Sequence, residues 1–294
     1  MFYRRKILLS LLQVFDGQLD KLSLNKLMLI VSMQQENPSY DFIPYKFGCY
    51  SFSMKADLNK MQEIGLIIKN ETAYQGSSSK NFFKELNDSD KKIIRNIKSK
   101  FYGFDSRELM EFTYKAYPYF AINSLVANDV LDSKSYGEVV KKIPYRDEIT
   151  LFTIGYEGIS LESYFNRLIK NDVKLLIDVR KNATSMKYGF SKKTLSYVSQ
   201  KLKIKYLHIP ELGINSSYRK SLDSKEDYKS LFDMYRKENL PNTKKEQEHI
   251  LSLLKEEKRV ALTCFEADKC ECHRSHLADS IKGLEGFSYS VIHL

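Results

Sequence analysis

Two short, nearly continuous apolar runs constrain this chain more than any other feature: VKLLID at residues 173–178 and VALTC at residues 260–264. Both are of strand length. Side chains that alternate between the two faces of a sheet can be apolar throughout only when both faces are covered. Such sheets are built from parallel strands joined by helical crossovers. Further strands are expected at 151–154, 205–209 and 288–293, with helical stretches between them, one carrying Leu161, Tyr164, Phe165 and Leu168. Residues 150–294 should therefore form an α/β domain with a mostly parallel, Rossmann-like sheet and flanking helices.

Residues 1–125 read differently, as a mostly helical domain. Ile7, Leu8, Leu11, Leu12 and Phe15 fall at helical spacing. An amphipathic first helix fits better than a secretory leader, because Asp16, Gln18 and Asp20 follow at once without a small-residue cleavage site. A second helix is expected over 21–33, capped at Ser23, with Leu24, Leu27, Met28 and Val31 on one face. A third, capped by Ser51 or Ser53, carries Leu58, Met61 and Ile64. Leu66, Ile67 and Ile68 begin a strand, the GSSS run at 76–79 is a turn, and 82–86 follows as the return strand of a ribbon. Helix, helix, ribbon is a winged-helix layout. The turn FGCYS at 47–51, the DLNKMQEIGLI that follows and ELMEFTYKAYPYFAINS at 108–124 resemble YwgA/SocA-like bacterial modules, with Cys49 where proline is usual. That resemblance implies a winged-helix-like interaction module, open to a protein partner, rather than an activity. Residues 126–149, with Ser133, Gly137 and Pro144, read as a connector.

The formal net charge is +10, which favours acidic partners, nucleic acid or nucleotide first. Between Asp178 and Glu211 there is no acidic residue, while Arg180, Lys181, Lys187, Lys192, Lys193, Lys201, Lys203 and Lys205 fall inside that window. Tyr188, Phe190, Tyr197 and Tyr206 are interleaved with them. A basic surface with aromatic platforms suits a phosphate backbone with accessible bases; a solvated lysine-rich helix face has the same composition. No apolar run approaches the ~18 residues of a membrane span, so no membrane partner is expected. Four cysteines, three of them clustered, do not make a disulfide framework, which points to a reducing cytoplasm.

Chemistry concentrates in VALTCFEADKCECHRSHLADSI at 260–281, a strand, a polar loop and a helix opening near Cys272, His273 and Arg274. With Thr153-Ile154-Gly155-Tyr156, Asp178-Val179-Arg180 and Tyr206-Leu207-His208-Ile209-Pro210-Glu211-Leu212-Gly213, its CFE and CHR elements resemble the bacterial domain-of-unknown-function family 488. The resemblance spans about 151–294 and implies a fold without an assigned activity. Cys270 and His276 are additional to that family's pattern.

All these motifs fall at C-terminal strand ends, where open parallel sheets bind ligands. The catalytic candidates are Tyr156, Asp178, Glu211, Cys264, Glu266 and Cys272, and the substrate-binding candidates are Gly155, Arg180, His208, His273 and Arg274. Nucleic acid would lie along Lys181, Lys187, Lys192, Lys193, Lys201 and Lys203. Arg180 and Arg274 could clamp a phosphate, Cys272 near a helix N-terminus would favour its thiolate, and Glu211 and Glu266 could serve as acid or base. Ion pairs with Arg180 and Arg274 are the structural alternative for the carboxylates.

Several functions follow. One is an enzyme acting on a nucleotide or nucleic acid, in genome defence or DNA processing. Another is a nucleotide-sensing DNA-binding regulator. A third is a rhodanese-like sulfurtransferase, which LLIDVR and Cys264 resemble although the tight CxxGxR loop is absent. No cofactor is required by these motifs. Zinc is the metal they would suit, through Cys264, Cys270, Cys272, His273 and His276, despite the lack of paired CxxC knuckles.

Overall fold

Helix α1 (Tyr3–Val14) buries Ile7, Leu8, Leu11 and Leu12, as their spacing predicts. The structure, a computed structural model, describes residues 1–215, 225–268 and 272–294, which divide into two compact units, Met1–Ile143 and Pro144–Leu294.

In the first unit a short strand β1 (Gln18–Asp20) leads into α2 (Lys21–Gln34). The cap of α2 is Asp20 rather than Ser23. Its carboxylate accepts from the Leu22 and Ser23 N–H groups at 3.0 and 2.9 Å. One carboxylate thus satisfies two orphan donors and sets negative charge at the positive end of the helix. The aromatic segment that follows is a hairpin of β2 (Ile43–Tyr45) and β3 (Gly48–Tyr50), after which Ser51 caps α3 (Phe52–Glu63). Strands β4 (Ile67–Lys69) and β5 (Ala73–Gly76) join β1 in an antiparallel sheet of order β1-β5-β4. The return strand of the ribbon is therefore 73–76, and the expected strand at 82–86 instead contains a 3-10 turn, Phe83–Glu85. Asn70 decides this: its Oδ1 accepts from the N–H groups of Thr72 and Ala73 and closes a tight turn ahead of the serine run.

Helices α4 (Asp88–Phe101) and α5 (Ser106–Ala116) complete the main core of this unit. Two short helices, α6 (Ala127–Val130) and α7 (Ser133–Val140), occupy part of the segment read as a connector. They bury Ala127, Val130 and Val139 with Met110 and Tyr114. Asp57 on α3 ties the unit's start to its middle, accepting from Arg4 Nε at 2.5 Å, Arg5 Nε at 2.7 Å and the Tyr40 hydroxyl at 2.9 Å. In the FGCYS turn, Gly48 adopts φ +86, and a Cβ there would sit 2.4 Å from the Tyr114 ring and 2.7 Å from Lys26 Nζ. Lys26 is wholly buried, donating to the Phe47 carbonyl and lying 3.8 Å from Cys49 Sγ. Burial pushes its amine below the usual lysine range.

The second unit is a five-stranded sheet of order β10-β6-β9-β7-β8, parallel at every pairing. Its strands are β6 (Thr150–Gly155), β7 (Leu175–Asp178), β8 (Lys205–His208), β9 (Arg259–Cys264) and β10 (Ser290–His293). Helices α8 (Leu161–Lys170) and α9 (Lys192–Lys201) follow β6 and β7. Between β8 and β9 come α10 (Lys225–Met234), a π-helical turn (Tyr235–Asn239), the short α11 (Leu240–Asn242) and α12 (Lys244–Glu257). Helix α13 (His273–Lys282) links β9 to β10. Both apolar runs are buried on both faces. Leu151, Leu175, Ile177, Val260 and Leu262 pack in a cluster with residues of α12 and α13, while Phe152, Ile154, Leu176 and Ala261 are buried on the opposite face. Among the described residues no helix is long and apolar enough to cross a membrane.

Candidate functional site

Strand register assembles the site. Parallel pairing sets Gly155 opposite Cys264 and Asp178 opposite Thr263, so β6, β9 and β7 deliver their C-terminal residues side by side. Beyond β9 the chain folds back over the end of β6, where the Phe265 carbonyl accepts from the N–H groups of Tyr156 and Glu157 at 3.0 and 2.9 Å. The approach is so close that a Cβ on Gly155 would lie 1.8 Å from the Glu266 carbonyl oxygen. Only glycine fits there, which gives Gly155 a structural reason to be what it is.

Four donor groups meet at this point. Cys264, Glu266, Cys272 and His273 each offer one ligand atom, and these atoms all lie within 4.8 Å of one another. Cys264 Sγ donates to Glu266 Oε2 at 3.1 Å and lies 3.5 Å from His273 Nδ1. The other ring nitrogen of His273, Nε2, lies 3.1 Å from the Val179 carbonyl. A carbonyl only accepts, so Nε2 carries the proton, and in the neutral ring Nδ1 presents its lone pair to the cluster. Cys272 stands at the N-cap of α13, where the helix dipole favours a thiolate. Burial opposes ionisation of Cys264, but the hydrogen bond from the Cys272 thiol, the charge that His273 carries when both its nitrogens are protonated, and the contacts with His273 and Glu266 outweigh it, holding that thiol well below its usual range. The thiolate expected at Cys272 is not favoured: burial first, and then Cys264 beside it, outweigh the helix dipole and push that thiol well above its usual range. The two thiols therefore titrate as a pair, Cys264 losing its proton before Cys272.

The cluster reaches a cavity of about 320 Å³ through Cys264 and His273. Tyr156, Arg180, Lys181, Lys187, Ile214 and Phe265 line the rest, with Asn182, Thr184, Ser185 and Met186 from the loop after β7. Lys187 Nζ donates to the Tyr156 carbonyl at 2.6 Å, which holds that loop to the wall. Tyr156 is buried and stacks on Phe190, with ring centroids 4.3 Å apart.

Arg180 is the hub of the wall. Its Nε and NH2 donate to both oxygens of Asp178 at 2.8 and 2.6 Å, and NH1 donates to the Tyr156 hydroxyl at 2.6 Å and the Phe190 carbonyl at 2.9 Å. Asp178 also accepts from the Tyr206 hydroxyl at 2.8 Å, and His208 Nε2 reaches the Arg180 carbonyl at 2.8 Å. Burial works against the Arg180 charge, but the Asp178 carboxylate more than restores it.

Arg274 is differently engaged. It is buried, donating from NH1 to the Glu266 carbonyl and from NH2 to the Ala267 carbonyl at 3.0 Å. The expected Glu266–Arg274 pair is thus made through the Glu266 backbone, while the Glu266 carboxylate accepts from Cys264. His276 joins a different group: its Nδ1 lies 3.0 Å from Arg236 NH1, and its ring packs 4.7 Å from Phe232. Cys270 lies outside the described residues. Glu211 is exposed on a 3-10 turn, Pro210–Leu212, and is not among the residues lining the cavity. Lys192, Lys193 and Lys201 are exposed on α9, with Lys203 exposed just beyond it, also outside that lining.

Asn182, Thr184, Ser185, Met186, Ile214 and Phe265 line the cavity without a chemical motif in the sequence that marks them as site residues. Their one signal was position, the first four following a DVR strand end. Among known families, the model described as domain of unknown function DUF488 matches residues 160–281. That stretch runs from the cap of α8 into the last turn of α13 and contains the whole donor cluster, so this part of the chain is similar to that family. No curated protein matches the chain.

Proposed function

We propose that the C-terminal unit is an enzyme acting on a nucleotide or nucleic acid, with a zinc-type metal centre formed by Cys264, Cys272 and His273. One observation carries this reading: four donors converge within 4.8 Å at a cavity whose walls include Lys181 and Lys187. Two thiols and an imidazole suit zinc, and three protein ligands, two of which (Cys264 and His273) line a cavity, favour a catalytic over a structural zinc. The His273 Nε2–H donated to the Val179 carbonyl is the kind of outer contact that orients a ligating histidine. When bound, zinc would supply an activated water at neutral pH. Glu266 is half-buried in the same cluster and would take up or release the proton. Lys181 and Lys187 would hold phosphate, while the Arg180–Asp178 pair fixes Tyr156 in the wall.

For the N-terminal unit we infer a winged-helix-like module for nucleic acid or a protein partner. The order α1-β1-α2-α3-β4-β5, with β5 paired between β1 and β4, supports that reading. A reducing, cytoplasmic setting is in keeping with Cys49, Cys264 and Cys272 as free, buried thiols.

The test is metal analysis combined with a binding titration against nucleotides and oligonucleotides at two salt concentrations. About one zinc per chain is expected, retained in His276→Ala and lost in Cys272→Ser. Glu266→Gln should keep the metal and abolish turnover. Binding that is insensitive to salt, or zinc retained in Cys272→Ser, sinks the reading. If Glu266→Gln leaves function intact, the unit is a nucleotide sensor instead.

Cys264 at the end of β9, facing the cavity with Cys272 beside it, favours a second reading, sulfur transfer in which the Cys264 thiolate takes the sulfane sulfur of a thiosulfate-type donor as a persulfide and releases sulfite. Thiosulfate-dependent labelling of Cys264 in metal-free protein would establish it; absence of labelling would remove it.

A further inference from the structure

The loop between β7 and α9 carries a feature that the metal centre does not use. Met186 at its tip is fully exposed, and Tyr188 two residues on is more than half exposed. A lone exposed methionine is ordinary on a protein surface. This one lines the cavity mouth, between Ser185 and Lys187, which line it too. The loop is also held at both ends. The Lys192 N–H donates to the Ala183 carbonyl at 2.7 Å, Lys187 Nζ reaches the Tyr156 carbonyl, and Ala183 and Phe190 are buried. The Lys187 N–H donates to Ser185 Oγ at 3.2 Å, bending the chain around Met186. An apolar side chain is thus presented outward from an anchored loop, with Lys181 at the loop's start, Lys187 next to Met186, and Lys192 and Lys193 exposed on the helix that follows.

The cavity beneath is small. At about 320 Å³ it lies at the low end of the ~300–1,000 Å³ typical of small-molecule pockets, enough for a single nucleobase with its sugar. Phe265 offers it a partly exposed aromatic face, and Asn182, Thr184 and Ser185 offer donors and acceptors for a base edge. An exposed apolar wedge, flanking cations and a one-base cavity are the parts needed to unstack a strand and take in one of its bases.

Resting on the reading of the site given above, we propose that its substrate is a nucleotide within a strand rather than a free nucleotide. Met186 wedges into the base stack, Tyr188 stacks on the neighbouring base, and the base between them turns into the cavity over Phe265. The lysines hold the flanking phosphates.

The experiment uses the full chain and oligonucleotides carrying 2-aminopurine, whose fluorescence rises on unstacking. Single-stranded DNA and single-stranded RNA of one sequence are compared with a nucleoside monophosphate. The strand should bind at least about tenfold more tightly than the monophosphate, with a rise in fluorescence. Met186→Ala should lose both about tenfold in strand affinity and the fluorescence rise, and Met186→Leu should restore them. The two strand arms report which sugar is preferred, and binding of either carries the proposal. Equal affinity for strand and monophosphate, or tight strand binding with no rise in fluorescence, overturns the wedge and leaves the nucleotide site standing. If neither ligand binds, the site reading falls and the wedge with it.

Discussion

At the scale of single residues, Arg274 shows how a side chain can serve a site without facing it. Its guanidinium holds the Glu266 and Ala267 carbonyls, and so fixes the loop that brings Glu266 to the cysteines. Each charged hydrogen bond of this kind contributes about 1.5–3 kcal/mol, and its loss leaves buried groups unpaired. Arg274→Ala should therefore cost about 3 kcal/mol and lower metal affinity about 10–100-fold, the usual effect of losing an outer support. Arg274→Lys should not rescue it, because a single ammonium lacks the fork that spans two carbonyls. Denaturant unfolding and competitive zinc titration of both variants would check this; wild-type affinity in either would remove the supporting role. The residue types of this centre were legible in the sequence, since Cys264, Cys272 and His273 stand in one short segment. Their partners were not. Spacing could not tell that Arg274 takes the Glu266 carbonyl rather than its carboxylate. Nor could it show that His276, three residues from His273, is met by Arg236 from forty positions away.

At the scale of elements, the strands of the C-terminal sheet were readable because a run apolar on both faces leaves few alternatives. The three-residue strands β1, β2 and β3 were not, being too short to show alternation against their turns. The loop at 182–186 carries no titratable group, so its place in the cavity could come only from the fold. In the N-terminal unit, Asp57 couples α1 to α3, and the Tyr40 hydroxyl shares it. Burial acts to raise its carboxyl, but the hydrogen bonds from Arg4, Arg5 and Tyr40 prevail and hold it below the usual value. A carboxyl lowered in the folded state adds stability above its unfolded pKa of ~3.9, and that stability is lost as pH falls through the folded value. Asp57→Asn should cost about 2 kcal/mol at neutral pH, less than the ~3–5 kcal/mol of a fully buried pair because Arg4 is 43% exposed. The difference from wild type should shrink toward acid. Urea denaturation at pH 7 and pH 3 would show it, and a constant difference at both would argue against the linkage.

At the scale of the whole molecule, the two units contain separate hydrophobic clusters, and the donor cluster lies wholly in the second. The order of the larger sheet has a consequence for how the chain is made. Strand β6 pairs only with β9 and β10 among the described strands, and both come later in the sequence. On the ribosome, β6 must therefore wait about a hundred residues for its first neighbour, whereas β7 and β8 can pair at once. Pairings this distant in sequence form slowly and leave strand edges open meanwhile. Arrested nascent chains with residues 1–258 clear of the exit tunnel should be protease-resistant in the first unit and cleaved in the second. Resistance in both should appear only once β9 has emerged. Full protection of the shorter chain would mean that β6 finds a temporary partner. If it does not, translation itself sets the order of events. The strand that seals the sheet also delivers Cys264, so no ribosome-bound intermediate displays a half-built thiol centre for long.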